Sequence, residues 1–294
     1  MNFINQYRNN VTHEQKRQHD GSIHSRNRST VILVGGLNGR EWLTIAAVIK
    51  FIFDFLTVGN PEEKLFRTAF DWLFIPMANP DGYEQSMKNN RTWDTNACPY
   101  ACGTCQEGVH LNTNFPYKWG LFRTSKEHDS VGNHVGPWPM SEREVESLVR
   151  FIGNLDKTGQ PPLALFNIFG HGNLWQIPNS DGTHPRFWHD MRRVAKESVT
   201  EIFKSIIQPF ASYQIGNTRQ LAIKDSSGTL EDWAIHIGIP YAYRITVPEG
   251  VKGGYEADEN DIEKSGLILN IGITTAIDRM NVSSRAKTFD LLGK

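Results

Sequence analysis

Thr30-Val-Ile-Leu-Val-Gly-Gly36 is an uninterrupted apolar run closed by two glycines, the pattern of a strand buried on both faces. A helical stretch follows at once, from about Glu41 to Leu56, and then a second buried run, Phe70-Asp-Trp-Leu-Phe-Ile-Pro76. The turn signal Asn79-Pro-Asp-Gly82 ends that strand. Strand, helix and strand in succession predict parallel pairing with a helix on the sheet face. Further along, Pro162 to Phe169 and Tyr241 to Val247 read as buried strands. Helices are expected from Ser141, over Phe187 to Phe203, near Leu230 to Ile237, and from Glu259 to Met280. Ser141 and Glu144 have capping-box spacing, and Val145, Leu148, Val149 and Ile152 share a face. The sum is an α/β fold: a central mixed, mostly parallel sheet with helices on both faces. In such sheets ligands lie beyond the carboxyl ends of the strands, so the chemistry is expected after Gly36, Pro76, Phe169 and Arg244.

Around this frame, residues 5 to 29 are polar and aperiodic, so 1–29 reads as a loop or poorly ordered segment and 30–294 as a single domain. Residues 83 to 137 show no sustained period and read as long loops, where sites tend to sit. The 294 residues carry 31 Lys plus Arg against 32 Asp plus Glu, which gives no basic excess for nucleic acid. The longest apolar stretch, Trp42 to Leu56, is interrupted by Lys50 and Asp54 and is too short to span a bilayer; it reads as a buried helix, and no membrane is expected. The first residues, Met1-Asn-Phe-Ile-Asn-Gln-Tyr-Arg8, show no signal peptide. Sequons stand at Asn10, Asn27, Asn90 and Asn281, weak support for secretion in so Asn-rich a chain. The 3 cysteines, Cys98, Cys102 and Cys105, allow one local disulfide with a spare thiol, or three thiols. Their spacing matches iron–sulfur ligation, but not in the strand context that chemistry needs.

Seven short motifs, in order, carry a family likeness. They are Gly35-Gly-Leu-Asn-Gly-Arg-Glu-Trp42, Asn79-Pro-Asp-Gly-Tyr-Glu84, Asn90-Arg-Thr-Trp93, Gly108-Val-His-Leu-Asn-Thr-Asn-Phe115, Ser141-Glu-Arg-Glu-Val-Glu146, Ser227-Gly-Thr-Leu-Glu-Asp-Trp233 and Tyr241-Ala-Tyr-Arg-Ile245. Over about Thr30 to Met280 the chain resembles the zinc metallocarboxypeptidases of the A/B type. The resemblance implies a sheet of about eight strands, of which one or two at the N-terminus are expected to be missing. It also implies an extracellular location.

Removing a C-terminal residue takes a metal to activate water, a carboxylate to accept its proton, a cation for the oxyanion and another for the terminal carboxylate. The family's zinc sits on His, Glu and His. Carried over by resemblance, the first His position is Asn38, the Glu is Glu41, and the second His is Phe169. One carboxylate does not hold zinc, so no cofactor is expected. The general base falls at Arg244, which cannot accept a proton, and the oxyanion cation falls at Asp94. The carboxylate-gripping pair is Asn112-Thr113, without its arginine; the mobile Tyr over the substrate is Lys224; Arg40 is retained. Glu231 holds the position that sets side-chain preference and in the family would suit a basic group. The support of the first His is His110. Glu41, Asp94 and Glu231 balance Arg40, Lys224 and Arg244 in charge, and Arg244 is expected to pair with Glu41 across the vacant metal position.

Two alternatives stand beside that reading. His171, two residues past Phe169, would join Glu41 and His110 in a relocated zinc set, making an active carboxypeptidase with basic preference. The bland reading of His171 is a hydrogen-bonded pocket residue. A defective copy without selected activity is the third reading. Trp93, Trp119 and Trp175 are candidates for a cleft lining, with core packing the default. The resemblance favours a pseudoenzyme that keeps a cleft for peptide C-termini or a protein partner.

Overall fold

A computed structural model describes residues 28–57, 66–97, 108–122, 135–155, 157, 162–205, 212–250, 253 and 255–280. The three cysteines, residues 1–27 and the sequons at Asn10, Asn27 and Asn281 lie outside the described residues. The elements are β1 (Thr30–Gly35), α1 (Trp42–Thr57), β2 (Asp71–Ile75), α2 (Pro80–Lys88), a single 3-10 turn (Leu111–Thr113), α3 (Arg143–Gly153), β3 (Pro162–Phe169), β4 (Leu174–Gln176), α4 (Trp188–Ser205), β5 (Gln214–Gly216), α5 (Leu230–His236), β6 (Tyr241–Thr246) and α6 (Glu259–Arg279).

The described strands form one sheet of six in the order β2-β1-β3-β6-β4-β5. The first four are parallel, β4 runs antiparallel to β6, and β5 pairs parallel with β4. The sheet is mixed and mostly parallel, as expected, with six described strands against the eight of the resemblance. β4 and β5 were not anticipated: each has three residues, too few to show a period. The chain leaves β1 toward β2 on one side and returns through β3 on the other, which opens a crevice at the carboxyl ends of β1 and β3.

One core packs α1, α4 and α6 on a face lined by Val31, Leu33, Phe166 and Tyr243. The other packs α3 and α5 on a face lined by Ile32, Val34, Leu165 and Ala242. α1 is not buried all round: Phe51 and Phe55 face the core, while Ile49, Phe53 and Leu56 are exposed. The helix-period stripe is therefore amphipathic despite the apolar composition.

Two local readings are corrected. Asn79-Pro-Asp-Gly82 opens α2 instead of closing a strand into a loop. Asn79 Oδ1 accepts from the Gly82 N–H at 2.8 Å, and Pro80 stands at the first helical turn, where no backbone donor is missed. The capping box at Ser141 is also absent. α3 starts at Arg143 behind Glu142, and the Ser141 hydroxyl donates instead to Glu142 Oε1 at 2.7 Å.

Candidate functional site

At the carboxyl end of β1 the chain turns sharply at Gly36, whose φ is +66°. A Cβ there would lie 2.7 Å from Ile45 Cγ1, so only glycine lets the strand end fold down onto α1. That turn delivers Asn38, Arg40 and Glu41. β3 delivers Asn167 and Phe169, and β6 delivers Arg244. Asn167 and Arg244 are register partners on neighbouring strands, so their side chains leave the same sheet face. On that face lies α5, with Glu231 in its first turn.

A cleft of about 290 Å³ opens over these elements. It brings together Asn38, His110, Asn112, Thr113, Phe169, Lys224 and Arg244, together with Asp225, Ser226 and Ser227. Glu41 and His171 are not on its wall; they border a separate void of about 10 Å³ with Gly170 and Tyr255. A larger hollow, about 630 Å³, lies between the end of α1 and α6, beside Asp54, Leu267 and Thr274, and holds none of the predicted residues.

Arg244 does not pair with Glu41. Its Nε donates to Glu231 Oε1, and the other oxygen of Glu231 accepts from Asn167 Nδ2 at 2.9 Å. The expected bridge fails for a topological reason: the odd-numbered face of β3 and its partner positions on β6 look toward α5, where Glu231 is fully buried. Asn112 completes the network, its Oδ1 accepting from the Leu230 N–H at 3.0 Å. The guanidinium of Arg244 also lies over the Phe169 ring, 4.8 Å from its centre.

Glu41, buried, instead takes hydrogen bonds from Asn38 Nδ2 at 2.8 Å and from the Gly170 N–H at 2.7 Å. Burial pushes its carboxyl up to about 7, helped by the nearby charge of Asp94 and opposed by those hydrogen bonds and by Arg40. Asp94 is also raised by burial, with His110 and Arg40 pulling it back. Arg40 Nε stands 2.8 Å from Asp94 Oδ1, an ion pair whose N–H is not aligned on the oxygen. The guanidinium of Arg40 is stacked on Tyr255, 4.2 Å from the ring centre. His110 Nδ1 lies 3.6 Å from Asp94 Oδ2.

The donor set does not suit zinc. Asn38 offers an amide already bonded to Glu41, and Phe169 offers no donor atom. Nor do Glu41, His110 and His171 form a relocated set: among the described residues no three His, Cys, Asp or Glu side chains gather as a metal cluster. His171 packs edge-on against Tyr255, 4.9 Å between ring centres. Glu231, sealed beneath Arg244 and Asn167, is not presented to a ligand. The cleft walls do not include Trp93, Trp119 or Trp175; Trp175 is fully buried in the core.

Sequence reasoning missed Asn167, Asp232, Arg91 and Tyr255. Asn167 had a signal, since it is a polar residue inside the apolar run Pro162 to Phe169, on the same face as Phe169. Tyr255 had none; it comes from a loop far in sequence, pinned where its carbonyl accepts from Arg91 Nη2 at 2.7 Å.

The fold and this crevice define a mixed-sheet α/β protein of hydrolase architecture. Residues 8–268 match the family described as zinc carboxypeptidase, and the chain belongs to that family. It is 29% identical over 245 residues to "Zinc carboxypeptidase A 1" of Anopheles gambiae, covering 81% of this chain and 54% of that protein. It is 24% identical over 262 residues to "Inactive metallocarboxypeptidase ecm14" of Talaromyces marneffei, covering 83% of this chain and 44% of that one. The solved carboxypeptidase A from Helicoverpa armigera shares the fold, with a TM-score of 0.77 at 24% identity, over 87% of this chain and 62% of that one. The chain thus spans about half the length of the curated relatives it matches. Among the described residues no helix is long and apolar enough to cross a membrane.

Proposed function

We propose that this chain is a carboxypeptidase-like pseudoenzyme that binds peptide C-termini, or a protein partner, in the cleft without hydrolysing them. The observation that supports this best is Arg244. By resemblance it stands at the general-base position, and its Nε is bonded to the buried Glu231. A guanidinium takes no proton from water. Asn38 and Phe169, at two of the three ligand positions, remove the means to hold zinc, and without metal or base the losses compound toward background rate. Asn112, Thr113 and the open volume remain to receive a chain end. A relative that bears the word inactive in its name supports the idea that this fold persists without turnover. By the same likeness the protein acts outside the cell.

The test is metal analysis of the purified protein, joined to a C-terminal peptide cleavage assay with a chelator control. Sub-stoichiometric zinc and no release of terminal residues are expected. Stoichiometric zinc with chelator-sensitive release would overturn the reading.

A further inference from the structure

We propose that the cleft selects acidic groups, because Glu231 is already saturated by Arg244 and Asn167 while the free edge of the Arg244 guanidinium remains to grip a ligand carboxylate. This rests on the reading that the cleft holds peptide ends, and reverses the basic preference that Glu231 implies by family position.

Consider first what a basic side chain would meet. Glu231 is wholly inaccessible, with Oε1 taken by Arg244 and Oε2 by Asn167 at 2.9 Å. A lysine entering the cleft would have to displace an internal guanidinium from a buried carboxylate, and the displaced cation would stay in the same small space. Like charges so placed repel, and the original pair is lost.

A carboxylate meets the opposite situation. Arg244 lies on the cleft wall and is the most exposed residue of β6, half-buried where the others are buried. Its Nε is committed to Glu231, and Nη1 and Nη2 have no acceptor among the described residues. Two parallel N–H donors on one planar edge fit the two oxygens of a carboxylate. Phe169 beneath the plane and Glu231 behind it fix the orientation before a ligand arrives. Lys224 and His110 share the wall. Asp225 is the carboxylate on that wall, and it is held by Thr218 Oγ1 at 3.2 Å and by Arg219 at 3.9 Å, so it does not neutralise the fork.

The carboxylate could be the chain terminus or an acidic last side chain, and the experiment separates them. Fluorescein-labelled peptides that differ only in the last residue are titrated with the whole protein by anisotropy at neutral pH and low ionic strength. The set comprises Glu, Gln and Lys as free acids, and Glu as the amide. The Glu acid is expected to bind at least about fivefold tighter than the Lys acid. Retained affinity in the Gln acid assigns the fork to the terminus; retained affinity in the Glu amide assigns it to the side chain. Arg244→Lys, which keeps the charge against Glu231 but not the fork, is expected to shrink the ratio, and Arg244→Gln to bring it near one. The ratio in the unaltered protein carries the test should a variant fail to fold. Equal or tighter binding of the Lys peptide, or a ratio unmoved in both variants, overturns the proposal and leaves the cleft reading standing. No binding by any peptide overturns both.

Discussion

Arg244 bonds Glu231 across neighbouring elements, β6 to α5, while Glu41 is left to two uncharged donors, Asn38 and Gly170. The site therefore keeps its buried carboxylates by different means. Glu231 is matched by a cation inside a hydrogen-bonded network with Asn167 and Asn112. Glu41 has no cation bonded to it among the described residues and is left partly protonated at neutral pH, its carboxyl pushed up to about 7 by burial and by Asp94.

The Arg244–Glu231 pair should be strongly coupled. Arg244→Met leaves Glu231 buried without its cation and is expected to cost about 3–5 kcal/mol in urea unfolding. Adding Glu231→Gln removes the stranded charge, so the double variant should be more stable than the sum of the single changes, with a coupling energy of about 1–3 kcal/mol. Strict additivity would mean that the contact contributes nothing.

Placing imidazoles at the two positions where the family likeness implies them should confer metal binding but not turnover. By resemblance Asn38 and Phe169 stand at the two His positions of the metal set: Asn38 Nδ2 bonds one oxygen of Glu41, and the N–H of Gly170, next to Phe169 in the chain, bonds the other. Asn38→His with Phe169→His is expected to gain zinc by elemental analysis. Peptide cleavage should stay at background, because the position that by resemblance holds the general base carries Arg244, which accepts no proton. Cleavage by the double variant would show that another group serves as base.

Much of this was legible in the sequence, and the failures have physical causes. β1 and β3 were readable because largely apolar runs closed by glycine have few other solutions, and β3 matches Pro162 to Phe169 at both ends. Asn112, Thr113, Lys224 and Arg244, picked out by family position, line the same cleft. What failed was pairing. Charge balance suggests that Arg244 has a carboxylate partner, but only the β3–β6 register and the placement of α5 decide that it is Glu231. α2 was lost because Asn-Pro-Asp-Gly is both a turn signal and a helix start, and only the Asn79 cap resolves it.

Gly170 should tolerate no side chain. A Cβ there would lie 2.8 Å from Glu41 Cδ and 2.9 Å from Tyr255 Cε1, both held by other contacts. Gly170→Ala is expected to destabilise by about 1–3 kcal/mol, as overpacking in a fixed site does. It should also perturb the near-ultraviolet signal of the tyrosines through Tyr255. An unchanged denaturation midpoint would show that Glu41 moves aside freely.

Stability should rise as the pH falls from 8 toward 5, and Asp232 should account for a measurable share. Burial pushes its carboxyl up to about 7, with the adjacent Glu231 adding to the shift; the Ser180 backbone N–H, Arg244 and the Ser180 hydroxyl oppose it. In the unfolded chain the same group titrates near 3.9. Between these values the folded state binds the extra proton, so its contribution is full below the unfolded value and is lost as pH rises through about 7. The slope from one such group is at most about 1.4 kcal/mol per pH unit. Glu41, raised for a similar reason, adds to the trend in the same direction. Asp232→Asn keeps an acceptor for Ser180 but cannot titrate, so its unfolding free energy should depend less steeply on pH between 5 and 7 than that of the unaltered protein. Identical slopes would show that Asp232 remains ionised in the folded state throughout that range.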